Sequence, residues 1–82
     1  MEKQEVFEKI REIISKETGI PEAEIRADSA LMDDLELSSL EILMVVNGVE
    51  TAFSLHFEMM DVQNIITVGD LAELVGQHLM NK

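Results

Sequence analysis

Ser38-Ser39-Leu40-Glu41-Ile42-Leu43-Met44-Val45-Val46-Asn47-Gly48-Val49-Glu50-Thr51-Ala52-Phe53 is the stretch on which the fold turns. Ile42 to Val46 is an unbroken apolar run, and Asn47-Gly48 is the strongest short hairpin signal a chain can carry. A β-hairpin centred there is one reading. A helix is the other. Ser38 and Ser39 are good helix starters, with Glu41 near the positive end of the dipole. Leu40, Leu43, Val46, Val49, Ala52 and Phe53 recur at spacings of three and four. The residues lean toward helix and leave the hairpin open.

The flanks point to helices. Upstream, Val6, Phe7, Ile10, Ile13 and Ile14 share one helical face, while Glu5, Glu8, Lys9, Glu12 and Lys16 take the other. Glu5 with Lys9 and Glu12 with Lys16 are favourable pairs one turn apart. Gly19 and then Pro21 stop this helix. Residues 20–38 read as a long ordered crossover pinned by Ile20, Ile25, Leu31 and Leu35, with a short turn at Glu22 to Ile25. Downstream, residues 59–64 suit one or two helical turns. Thr67-Val68-Gly69-Asp70 is a helix start with an acid at its third position. Val68, Leu71, Ala72, Val75 and Leu79 form the stripe of a last helix.

The chain of 82 residues reads as a single domain over 1–82 with a shallow core, which favours a binding module, carrier or subunit over an enzyme. Cysteine is absent, which removes disulfides, thiolate zinc sites and a cysteine nucleophile. No apolar run approaches the roughly 20 residues that span a bilayer, and the start resembles no signal peptide. A soluble, cytoplasmic monomer is expected.

Seventeen acids oppose six bases, a formal net charge of -11, and from Ala27 to Asn81 there is no Lys or Arg against ten acids. Such a surface repels nucleic acid and anionic lipid, so neither is an expected partner. It suits proteins with basic patches, although solubility alone would also account for it.

Few residues offer chemistry. His56 and His78 lie far apart without a partner at ligand spacing, and Asp33-Asp34-Leu35-Glu36 lacks the alternating oxygens and glycine of a calcium loop. No metal site is expected, and no base is placed near a nucleophile. What remains is Asp33 to Glu41, with serines where a helix would begin. Capping is the ordinary role of such a serine. A hydroxyl there can also carry a phosphate, whose charge free backbone N–H groups and the helix dipole would stabilise. Leu40 is expected to anchor that turn to the core. Spacing leaves both roles open.

At this point the chain resembles the acyl carrier protein family. The family pattern is Asp-Leu, two variable residues, then Asp-Ser-Leu. Asp34-Leu35, Glu36-Leu37 and Ser38-Ser39-Leu40 match it in register and select Ser39. Gly19-Ile20, Glu50-Thr51-Ala52-Phe53 and Ile65-Ile66-Thr67-Val68 fall at the family's intervals without a gap. Ser38 stands where the family usually carries Asp, and Glu36 where glycine is common. Ile42, Met44 and Asn47 are expected on the outward face of the second long helix, where similar proteins are more acidic or polar.

The resemblance implies an all-α fold, a small four-helix bundle with three longer helices and a short third one. It implies a carrier, not an enzyme, that holds acyl intermediates as thioesters on a 4′-phosphopantetheine arm attached covalently to Ser39. The arm would come from coenzyme A through a phosphopantetheinyl transferase. The acyl groups would pass between acyl-transferring or synthase enzymes of fatty acid, polyketide or related specialised biosynthesis. Partner binding would fall to Glu36, Ser38, Leu40, Glu41, Met44 and Glu50. The alternative is an unmodified, carrier-like helical adaptor or regulatory subunit, which Ser38 keeps open.

Overall fold

The computed structural model describes residues 2–80. Helix α1 spans Lys3–Thr18 and buries Val6, Ile10, Ile13 and Ile14, four of the five expected apolar positions. It stops where Gly19 enters the left-handed region at φ 82°, a conformation glycine adopts without a Cβ penalty, and donates its N–H to the Ser15 carbonyl. Phe7, the fifth position, is only partly buried and lies under the Arg11 guanidinium, 5.4 Å from the ring centroid.

The crossover holds one 3₁₀ turn, Glu22–Glu24, and is otherwise irregular but fastened. Ile25, Leu31 and Leu37 plunge into the core. Ile20 and Leu35 pack against it half-buried. Midway, an isolated antiparallel bridge joins Ala30 to Thr67. Around it Leu31 N–H donates to Ile66 O at 2.9 Å, Val68 N–H to Ser29 O at 3.0 Å and Gly69 N–H to Ala27 O at 2.8 Å. These bonds satisfy backbone groups that a structureless loop would leave to solvent.

Helix α2 covers Ser39–Phe53, so the hairpin reading falls. Asn47-Gly48 makes no turn here: Asn47 faces solvent, and Gly48 lies where α2 meets α1. A Cβ at Gly48 would sit 3.0 Å from Ile13 Cγ2, so the missing side chain permits the close packing of the two helices. The buried face of α2 is Val45, Val46, Val49 and Phe53. That corrects the expected stripe, because Leu40, Leu43 and Ala52 are exposed. Ile42, expected to point outward, packs half-buried against the core, while Met44 and Asn47 are exposed as expected.

Helix α3 is short, Met59–Gln63, and α4 runs Val68–Met80. Thr67 and Asp70 cap α4 reciprocally: the Thr67 hydroxyl accepts from Asp70 N–H at 3.1 Å, and the Asp70 carboxylate accepts from Thr67 N–H at 3.0 Å. Helix α1 packs against both α2 and α4, and one core cluster joins all three. Among the described residues the architecture is all-α, with four α-helices. No described helix is long and apolar enough to cross a membrane. Met32, Met44, Met59, Met60 and Met80, the methionines among the described residues, are all exposed, so none of these five fills the core.

Candidate functional site

The two serines at the start of α2 have different occupations. Ser38 is the N-cap, with extended backbone at φ -76° and ψ 167°. Its hydroxyl accepts from Glu41 N–H at 3.2 Å, and the Glu41 carboxylate accepts from Ser38 N–H at 3.0 Å. This capping box satisfies donors that a helix start otherwise leaves unpaired. Ser39 is the first helical residue. It is exposed, and no hydrogen bond engages its hydroxyl among the described residues. The N–H groups of Ser39 and Leu40 likewise find no acceptor there. A hydroxyl open to solvent therefore sits beside free N–H donors at the positive end of a fifteen-residue helix.

The position of that hydroxyl is set from behind by Leu37. Leu37 is buried, and its N–H donates to Leu31 O at 3.0 Å. Leu40 does not supply the expected anchor: it is 67% exposed. The signal in the sequence that points to Leu37 is its place as the last apolar residue before the two serines. Between them Glu36 adopts φ 55°, a left-handed conformation that turns the chain. Ahead of it the Asp34 carboxylate accepts from Ala30 N–H at 2.7 Å, and the N–H groups of Asp34 and Leu35 both donate to Ala30 O. The segment before Ser39 is thus tied to the Ala30–Thr67 bridge.

The remaining candidate residues spread along α2. Glu41 is held in the capping box. Met44 is exposed one turn further on. Glu50 lies at the far end, where its carboxylate accepts from Phe57 N–H at 2.8 Å and sits 3.4 Å from His56 Nδ1. Its side chain is only 20% exposed. The structure therefore groups Glu36, Ser38, Ser39, Leu40 and Glu41 at one end of the helix and places Glu50 apart. His78 contacts the Phe57 ring edge-on at 5.0 Å and its Nδ1 lies 3.0 Å from Leu74 O, remote from the serines in sequence. No group of three or more metal-ligating side chains occurs among the described residues.

The described residues thus place an exposed, unengaged hydroxyl on a helix start whose approach is tied to the Ala30–Thr67 bridge. The family model described as "Phosphopantetheine attachment site" matches residues 8–75. Acyl carrier proteins are its relatives: that of Kineococcus radiotolerans is 36% identical over 90% of this chain and 91% of its own length. That of Thermotoga maritima is 31% identical over 94% and 95%. The solved structure of the acyl carrier protein from Enterococcus faecalis superposes with a TM-score of 0.76 at 26% identity, over 95% of this chain and 99% of that one. The chain belongs to the acyl carrier protein family, whose members are carriers rather than catalysts and bear 4′-phosphopantetheine covalently.

Proposed function

We propose that Ser39 is the attachment residue, and that the chain holds acyl intermediates as thioesters while they pass between enzymes of fatty acid, polyketide or related specialised biosynthesis. The observation that carries this reading is the division of labour between adjacent serines: Ser38 spends its hydroxyl on capping, and Ser39 keeps its own free. In the transfer, Ser39 Oγ would form the new bond to phosphorus of coenzyme A, the adenosine bisphosphate portion would leave, and the hydroxyl proton would pass to a base on the transferase. When bound, the group supplies the thiol that this cysteine-free chain lacks.

The chain's own residues present and hold the attachment point. The Ser39 and Leu40 N–H groups and the α2 dipole favour the diester's negative charge over solvent at neutral pH. Leu37 and the bonds to Ala30 and Leu31 keep the oxygen at one place. Partners are a phosphopantetheinyl transferase and acyl-transferring or synthase enzymes with basic surface patches, which the net charge of -11 would attract at a distance. Glu36, Ser38, Leu40, Glu41, Met44 and Glu50 remain the proposed contact set, with Glu50 the outlying member. Intact mass after incubation with coenzyme A and a transferase tests the reading. Wild type gains the arm and Ser39→Ala does not; gain of the arm by Ser39→Ala would refute it.

A further inference from the structure

Residues four apart on a helix form a ridge, about 6 Å per step, that drifts slowly around the axis. Ser39, Leu43, Asn47 and Thr51 make one such ridge of α2, and Leu40, Met44, Gly48 and Ala52 make the next. The furrow between them starts at Ser39 and runs into a groove of about 540 Å³ between α1 and α2. Met44, Asn47, Gly48, Thr51 and Ala52 form the α2 side of that groove, and Ile13 of α1 lies opposite. The missing side chain at Gly48 leaves Ile13 as the floor, since a Cβ there would sit 3.0 Å from Ile13 Cγ2.

The chemistry changes along the furrow. Its first turn is apolar, with Leu40 67% and Leu43 52% exposed. Further on, the Asn47 amide and the Thr51 hydroxyl face solvent, and neither has a hydrogen-bond partner among the described residues. On the α1 side Lys9 and Lys16 balance Glu12 and Glu17, so the groove is neutral in a chain of net charge -11.

We propose that the groove between α1 and α2 holds the chain's own pantetheine arm, with its methyl groups toward Leu40 and Leu43, its amides at Asn47 and its thiol end at Thr51. The inference rests on Ser39 being the attachment residue. Beyond the phosphodiester the arm is neutral, and the order of its groups matches the order of the residues. Extended, it reaches about 18 Å from Ser39 Oγ, with the dimethyl carbon at about 5 Å and the two amides at about 8 and about 13 Å. Helical rise places Leu43, Asn47 and Thr51 about 6, about 12 and about 18 Å from Ser39. Asn47, which both donates and accepts, therefore lies between two groups that each require a donor and an acceptor. The Thr51 hydroxyl lies beside the terminal sulfur. A long hydrocarbon chain is a poor occupant, because the groove is open and its α1 rim is charged. A basic protein is drawn more strongly to the acidic remainder of the surface.

Amide NMR spectra of the unmodified chain and of the arm-bearing chain test the proposal. Beyond the residues beside Ser39, the arm is expected to shift Asn47, Gly48 and Thr51 on α2 and Ile13 and Glu17 on α1. In N47A/T51A, at two exposed sites where alanine favours the helix, those shifts should shrink by about half or more, while those beside Ser39 persist. Thr51→Val, which removes the hydroxyl at nearly constant shape, replaces the double variant if the latter loses spectral dispersion, and should reduce the shifts at Gly48 and Glu17. Shifts confined to residues 38–41 describe an arm free in solvent and overturn the proposal. Shifts at Val62 of α3 and Leu74 of α4 instead, or shifts undiminished in N47A/T51A, overturn it as well. Intact mass and fragmentation of the same samples separate the two failures. A chain that gains no arm, or bears it at a residue other than Ser39, overturns the attachment reading and this inference with it.

Discussion

Replacing Ser38 and Ser39 one at a time by alanine separates a structural hydroxyl from a functional one. In Ser38→Ala the acceptor for Glu41 N–H disappears, and loss of an N-cap costs about 1 kcal/mol, within a range of roughly 0.5 to 2. The Ser38 N–H to Glu41 carboxylate bond survives, since it uses only backbone and Glu41. For a domain of this size, about 1 kcal/mol lowers the melting temperature by about 4–8 °C. In Ser39→Ala no intramolecular bond is lost, and alanine is the better helix former by a few tenths of a kcal/mol, so the melting temperature should hold or rise slightly (about 1 °C). Thermal denaturation followed at 222 nm on the unmodified chains gives both numbers. Intact mass after incubation with coenzyme A and a transferase gives the other half: Ser38→Ala gains the arm and Ser39→Ala does not. If Ser39→Ala melts as low as Ser38→Ala, the hydroxyl at 39 is structural and the division of labour is wrong. If Ser38→Ala is the variant that stays unmodified, the register is wrong by one residue.

Further expectations concern the frame that carries the site. Glu36→Gly should raise the unfolding free energy from urea titration by up to about 1 kcal/mol, because φ 55° strains a side-chain-bearing residue by more than glycine loses in chain entropy. Gly69→Ala should destabilise by about 1–3 kcal/mol, since a Cβ there would stand 2.9 Å from the Ala27 carbonyl oxygen. Gly76→Ala, in the same helix with nothing within 4 Å, should stabilise by about 1 kcal/mol; denaturant titration of the pair checks the contrast. The Asp70 carboxylate is held below its ordinary value of 3.8, first by the Thr67 N–H and then by the Ile66 N–H. A lowered folded pKa means that Asp70 stabilises the fold at neutral pH and loses that contribution as pH falls below the ordinary aspartate range. Asp70→Asn should therefore be less stable than wild type at pH 7, with the gap narrowing in acid. A constant gap from pH 7 to the acid limit would refute the capping role.

Helices α1 and α4 are legible because their apolar residues lie on one face and their ends carry stop or cap residues, as at Gly19 and Thr67, whereas the five-residue α3 is too short for a stripe and buries none of its residues. Helix α2 was ambiguous for a physical reason: Leu40, Leu43 and Met44 are as apolar as Val45, Val46 and Val49. Local pattern alone does not say which face is inside; packing against α1 decides that. Gly48 reads locally as a turn and serves instead as the point where Ile13 approaches. The choice between the serines was equally hidden. Both are suitable caps, and the register of the family motif, not their chemistry, selected Ser39. Only the hydrogen bonds distinguish their roles. Leu40 adjoins Ser39 but falls on the solvent-facing side of α2, and the buried contact falls on Leu37 just before the helix.

The backbone bridge at Ala30 and Thr67 divides the crossover into two spans with different tolerance of length. The span before it, with exposed Pro21, Glu22, Ala23 and Glu24, can accept inserted residues, because loop closure grows only slowly with added chain. The span after it counts out the distance from Leu31 to Ser39. One residue added there would shift the serine off the helix start while leaving every helix intact. Length variation among kindred chains should collect on the near side of that bridge.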